Sequence, residues 1–123
     1  MAHGEAGAGA AQAPLVDRSA LDPIMKVTGA AVMRRIIDAF WSEANSMTGA
    51  LTAAIESGEQ ENIRKAAHAL KGAASNVGAG RTARIAATME KCDQAQARAL
   101  MPALEQALEE TRPALEDVLR DAA

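Results

Sequence analysis

The sequence predicts an all-α fold: an antiparallel up-down four-helix bundle with a short extra helix at its N-terminal end. Three observations carry this. Apolar residues recur at alternating spacings of four and three along most of the chain, which lines one face of a helix. Aromatic residues are nearly absent, Phe40 and Trp41 being the only two, while alanine, leucine and glutamate abound. No Asn-Gly or Asp-Gly step and no long alternating pattern marks a hairpin. At 123 residues the chain suits one domain. A domain of this size buries roughly two thirds of its unfolded surface, so a real core is possible.

Each element has its own signal. Residues 1–14, "MAHGEAGAGAAQAP", hold few large side chains and read as a flexible tail before a folded domain over 15–123; so little burial cannot offset the entropy of ordering. His3 falls in that tail and is read as a bystander. A short first helix starts near Leu21-Asp22-Pro23, where an early proline costs little, and Gly29 ends it. It is expected to pack across one end of the bundle. Met33, Ile37, Phe40, Ala44, Met47, Leu51 and Ala54 line the second helix, which stops near Ser57-Gly58. The third starts between Glu59 and Asn62, and its core face is Ile63, Ala67, Leu70, Ala74 and Val77. Gly78 then serves as a left-handed cap. A fourth helix is expected from Arg81 to Ala95, with Ile85, Met89 and Cys92 inward. A fifth begins near Leu100 with Pro102 in its first turn. Its stripe is Met101, Leu104, Leu108, Thr111, Leu115 and Val118, and Pro113 should kink or break it. Short loops make neighbouring helices antiparallel.

Composition excludes several functions. With 13 basic and 16 acidic residues the net charge is −3, which argues against nucleic acid, since phosphate backbones reward a basic surface. No apolar stretch approaches the roughly 18–20 residues that span a bilayer, so no membrane role is expected. The N-terminus lacks the apolar run of a secretory signal. Cys92 is the only cysteine, so no intrachain disulfide can form, and a cytoplasmic setting is expected. Cys92 and the methionines Met25, Met33, Met47 and Met89 read as core filler. No second His or Cys stands at metal-ligand spacing from His68. No Gly-rich phosphate loop appears, so the chain is not expected to use ATP itself.

One stretch stands out: "AAHALKGAASNVGAG", Ala66 to Gly80. At about 100° per residue, His68 points roughly 140° from the core direction of its helix, so it faces solvent. Arg64, Lys65, Lys71, Gly72 and Ser75 share that outer arc. Gly72 lies inside the helix, where glycine costs about 1 kcal/mol relative to alanine. What it gives is bare backbone one turn from the imidazole, where another molecule can approach. Arg64, Lys65 and Lys71 favour the neutral, nucleophilic ring and stabilise an anionic group placed on it. A neutral, open, cation-flanked imidazole suits a transferred phosphoryl group.

This segment closely resembles the signature of histidine-containing phosphotransfer (Hpt) domains: a His, an aliphatic residue, Lys, Gly, two small residues and a later Gly. The resemblance covers about Ile24 to Leu119, including the helix of Phe40 and the segment "TMEK". It implies that His68 is phosphorylated, that Lys71 stabilises the phosphate and that Gly72 provides clearance, with Arg64, Lys65 and Ser75 supporting. It implies a helical bundle that relays phosphoryl groups between aspartates of receiver domains, on response regulators or hybrid histidine kinases. Such a protein is a phosphocarrier, not an enzyme, with no cofactor of its own; the reaction's Mg²⁺ would sit on the receiver. A monomer is expected. Family members often bond the ring's second nitrogen with a polar residue from the next helix, for which Arg81, Thr82 and Arg84 are the candidates. Thr82 stands where the family more often has leucine, and Pro113 interrupts the last helix. Two other readings are the phosphotransfer domain of a chemotaxis-type histidine kinase and a helical interaction module that is never phosphorylated. The second leaves Gly72 and the cations unexplained.

Overall fold

A computed structural model describes residues 13–122. The first twelve residues of the expected tail, with His3, lie outside them. Four helices follow in order: α1 (Arg18–Ser57), α2 (Gln60–Asn76), α3 (Gly80–Met89) and α4 (Gln94–Ala122). They form the expected up-down bundle, each helix packing on the next and α4 closing the ring against α1.

The short first helix is the leading arm of α1. Gly29, at φ 82° and ψ 168°, breaks the helical path, a conformation essentially restricted to glycine. Asp17 caps the arm by accepting from the Ser19 N–H at 3.1 Å. Leu21 is fully buried and lies against Gly78, where an added Cβ would come within 2.9 Å of it. The Asp17 N–H donates to the Gly78 carbonyl at 2.7 Å. The arm thus seals the end of the bundle where α2 stops.

Two apolar clusters fill the interior. Leu51, Ile63, Leu70, Ile85, Met89 and Leu104 belong to one; Leu21, Met33, Ile37, Phe40, Leu115 and Val118 belong to the other. The predicted face of α2 is buried throughout. That helix ends in a Schellman motif. The Ala79 N–H reaches back to Ala74 O at 2.9 Å and the Gly78 N–H to Ser75 O at 3.1 Å, with Gly78 at φ 68°.

The last two helices differ from expectation. The fourth expected helix ends at Met89 rather than Ala95, and the next begins at Gln94 rather than near Leu100. The cause is a capping box. The Gln96 N–H donates to Asp93 Oδ1 at 2.9 Å, and the Asp93 N–H to Gln96 Oε1 at 3.1 Å. This reciprocal pair starts a helix. Pro102 therefore sits in the third turn of α4 and not the first. Pro113 does not break the helix, which runs on to Ala122. Both prolines are exposed, so water can satisfy the carbonyls they leave unbonded.

Candidate functional site

His68 lies midway along α2 on its outward face, with 63% of its side chain exposed. The buried row from Ile63 to Val77 fixes this orientation. Gly72 is exposed one turn further on, and a Cβ built there meets nothing within 4 Å. Side chains on a helix lean toward its N-terminus, so the empty space at Gly72 is the space beside the imidazole.

The ring's partner is Glu90, the residue just past the last turn of α3. Its Oε1 meets His68 Nδ1, while its Oε2 accepts from Lys71 Nζ at 2.9 Å. Only 13% of the Glu90 side chain is exposed. The Lys71 hydrogen bond holds its carboxyl below the ordinary value of 4.5; partial desolvation opposes this and the His68 hydrogen bond adds to it. A carboxylate in this position also faces the negative end of the α3 dipole, so the cation from α2 is what makes the placement tolerable.

With an ionised carboxylate as acceptor, Nδ1 carries the ring proton. In the neutral ring of that tautomer Nε2 holds the lone pair, and it has no partner among the described residues. The site is an outward imidazole held at one nitrogen and open to solvent at the other.

Glu90, and none of the expected Arg81, Thr82 and Arg84, is the ring's partner. Arg81, Thr82 and Arg84 all sit in the first turn or so of α3, and Glu90 follows its last. Nine residues of helix separate Arg81 from Glu90 by about 13 Å. Arg81 instead binds the Ala13 carbonyl at 2.6 Å and lies 3.6 Å from Glu110. Thr82 is fully buried, and its Oγ1 has no hydrogen-bond partner. Glu90 lies in the segment "TMEK", yet no local pattern marks it as facing His68.

The cation cluster is also rearranged. Arg64 turns away to Glu61, with Nη2 to Oε1 at 2.5 Å, and Lys71 is held by Glu90. Lys65 forms no ion pair among the described residues and lines a shallow groove toward Ala50 and Ala53 of α1. Ser75 lies two turns along the exposed arc, about 10 Å from His68 along the axis. The structure therefore brings together His68, Lys71, Gly72 and Glu90, and leaves Arg64, Lys65 and Ser75 at the margin. Cys92 is partly buried. Its Sγ donates to Thr88 O at 3.1 Å, and desolvation pushes its thiol above the ordinary value, as suits packing and not reactivity.

The Hpt domain family model matches residues 35–121. The chain belongs to the Hpt family. Among solved structures, that of histidine-containing phosphotransfer protein B from Pseudomonas aeruginosa PAO1 is similar in fold. It superposes with a TM-score of 0.76 at 23% identity, over 89% of this chain and 98% of that one. No curated protein matches the sequence. Hpt domains are phosphocarrier modules, so this Hpt protein has a histidine phosphotransfer role in phosphorelays, with receiver domains as the family's partners. No helix among the described residues is long and apolar enough to cross a membrane.

Proposed function

We propose that this Hpt protein carries a phosphoryl group on Nε2 of His68, taking it from the aspartyl phosphate of one receiver domain and passing it to the aspartate of another. The observation that carries the reading is the Nδ1 contact with Glu90 on an imidazole otherwise open to solvent. It leaves one nitrogen free and in its nucleophilic form.

The step balances without an added base. The Nε2 lone pair attacks phosphorus in line as the P–O bond to the aspartate breaks, and the carboxylate leaves with its electron pair. Nε2 has no proton to lose. The positive charge that develops on the ring is stabilised at Nδ1–H by Glu90. Lys71, one turn from His68 and 34% exposed, is within reach of phosphoryl oxygens. Return of the group to an aspartate is the same path reversed. Among the described residues no three His, Cys, Asp or Glu side chains gather to hold a metal. As the family resemblance implies, the Mg²⁺ of the reaction would sit among the receiver's carboxylates and would supply charge neutralisation there.

The test is a transfer profile. The protein is incubated with a panel of radiolabelled phospho-receivers, alongside the His68→Gln variant. Wild type should take up acid-labile, alkali-stable label. The variant should take up none, with its stability within about 0.5 kcal/mol of wild type, as for an exposed residue. Label persisting in the variant, or appearing on His3, refutes the assignment.

A further inference from the structure

Glu90 is useful only if its carboxylate stays on His68. It belongs to the short connection between α3 and α4, whereas the ring belongs to α2. Apart from Glu90 itself, one hydrogen bond ties these two segments: Gln60 Nε2, at the first position of α2, donates to the Cys92 carbonyl at 2.5 Å. A second glutamine braces the same corner. Gln94, the first residue of α4, donates to the Ile55 carbonyl at 2.6 Å, with its amide packed 3.1 Å from where a Gly58 Cβ would stand. Two side chains thus lash the α3–α4 connection to the α1–α2 turn. Within the connection, the Lys91 and Cys92 N–H groups donate to Thr88 O and Met89 O, both at 3.1 Å. A pull on the Cys92 carbonyl is therefore transmitted through one tight turn to Glu90.

We infer that Gln60 is a positioning residue for phosphotransfer: by holding the Cys92 carbonyl, it sets the register of the α3–α4 connection against α2 and keeps Glu90 on Nδ1 of His68. This rests on the reading of His68 as the phosphorylated residue. Gln60 touches neither the ring nor the phosphoryl group. It acts on the tautomer, and through the tautomer on the availability of Nε2.

The test compares Gln60→Glu, which keeps the shape but loses the donor, with Gln60→Lys, which keeps a donor of similar reach. An acid at the first turn of a helix is favourable, so Gln60→Glu should stay folded. Two readouts are taken on the full chain: the ¹⁵N shifts of the His68 ring, which report the tautomer, and the uptake of phosphate from phosphoramidate. In that reaction the donor's P–N bond breaks as Nε2–P forms, and ammonia leaves.

In Gln60→Glu the ring should shift from the Nδ1–H tautomer toward a mixture, and uptake should slow by roughly three- to tenfold, the scale of a sub-ångström misplacement. Gln60→Lys should restore both. Unchanged ¹⁵N shifts in Gln60→Glu overturn the inference. So does equal slowing in both variants without a change of tautomer, which would make the effect merely structural. If wild type takes no label on His68, the phosphotransfer reading itself fails; the ¹⁵N comparison still decides whether Gln60 keeps Glu90 on the ring.

Discussion

Replacing Gly72 separates stability from transfer, because the two should move in opposite directions. The position is helical, exposed, and free of any atom within 4 Å of an added Cβ. Gly72→Ala should therefore gain the helix-propensity difference, about 0.5–1 kcal/mol, through reduced freedom of the unfolded chain. For a domain of this size that is a rise of about 2–4 °C in Tm. Gly72→Gln and Gly72→Leu should keep most of that gain. Their side chains, however, lean toward the N-terminus of α2, over His68, and occupy the approach to Nε2. Transfer from a phospho-receiver should fall by about tenfold or more, since in-line attack tolerates little displacement. The assays are a thermal melt by circular dichroism and the rate of label transfer, on the same samples. Bulky variants that transfer as fast as wild type refute the clearance argument. A fall in Tm for Gly72→Ala refutes the open geometry from which it was derived.

Three further outcomes follow from other parts of the molecule. Glu90's carboxyl is depressed below its ordinary 4.5, so the unfolded state binds more protons than the folded one as the pH falls past that value. Its contribution is fully present above about pH 4.5 and is lost below it, as the depressed value is crossed; a pH series of urea melts should show Glu90→Gln flatter there, and an equally steep fall would contradict the ion pair with Lys71. Thr82 and Thr111 bury hydroxyls that have no partner, so Thr82→Val should stabilise by about 1 kcal/mol in chemical denaturation; destabilisation would mean that the hydroxyl is bonded. Gly29 holds a backbone conformation closed to other residues, so Gly29→Ala should cost about 1–3 kcal/mol, read from the urea midpoint, and a neutral result would show that α1 can straighten without loss.

Which face of each helix is buried, and which way His68 points, were legible in the chain of residues alone. Both follow from the 100° step of the α-helix, set by hydrogen bonds four residues apart, so a window of a dozen residues contains the answer. Ile63, Ala67, Leu70, Ala74 and Val77 are buried as their spacing requires, and His68 and Gly72 are exposed on the opposite arc. The start of α4 was equally local, in the capping box from Asp93 to Gln96, but the apolar period of the preceding helix continues as far as Cys92 and masks it. The partner of His68 was of another kind. Glu90 is 22 residues away, and whether it or Arg81 meets the ring depends on how far α3 slides along α2 and where α3 ends. Those quantities are set by the packing of Ile85 and Met89 against Ile63, Ala67 and Leu70, and by the seal that Leu21 and Gly78 make at the far end. Periodicity fixes rotation about a helix axis and carries no term for translation between helices. Only the packed core supplies that term, and it decided that Glu90 at the end of α3, not Arg81, Thr82 or Arg84 at its start, meets the histidine.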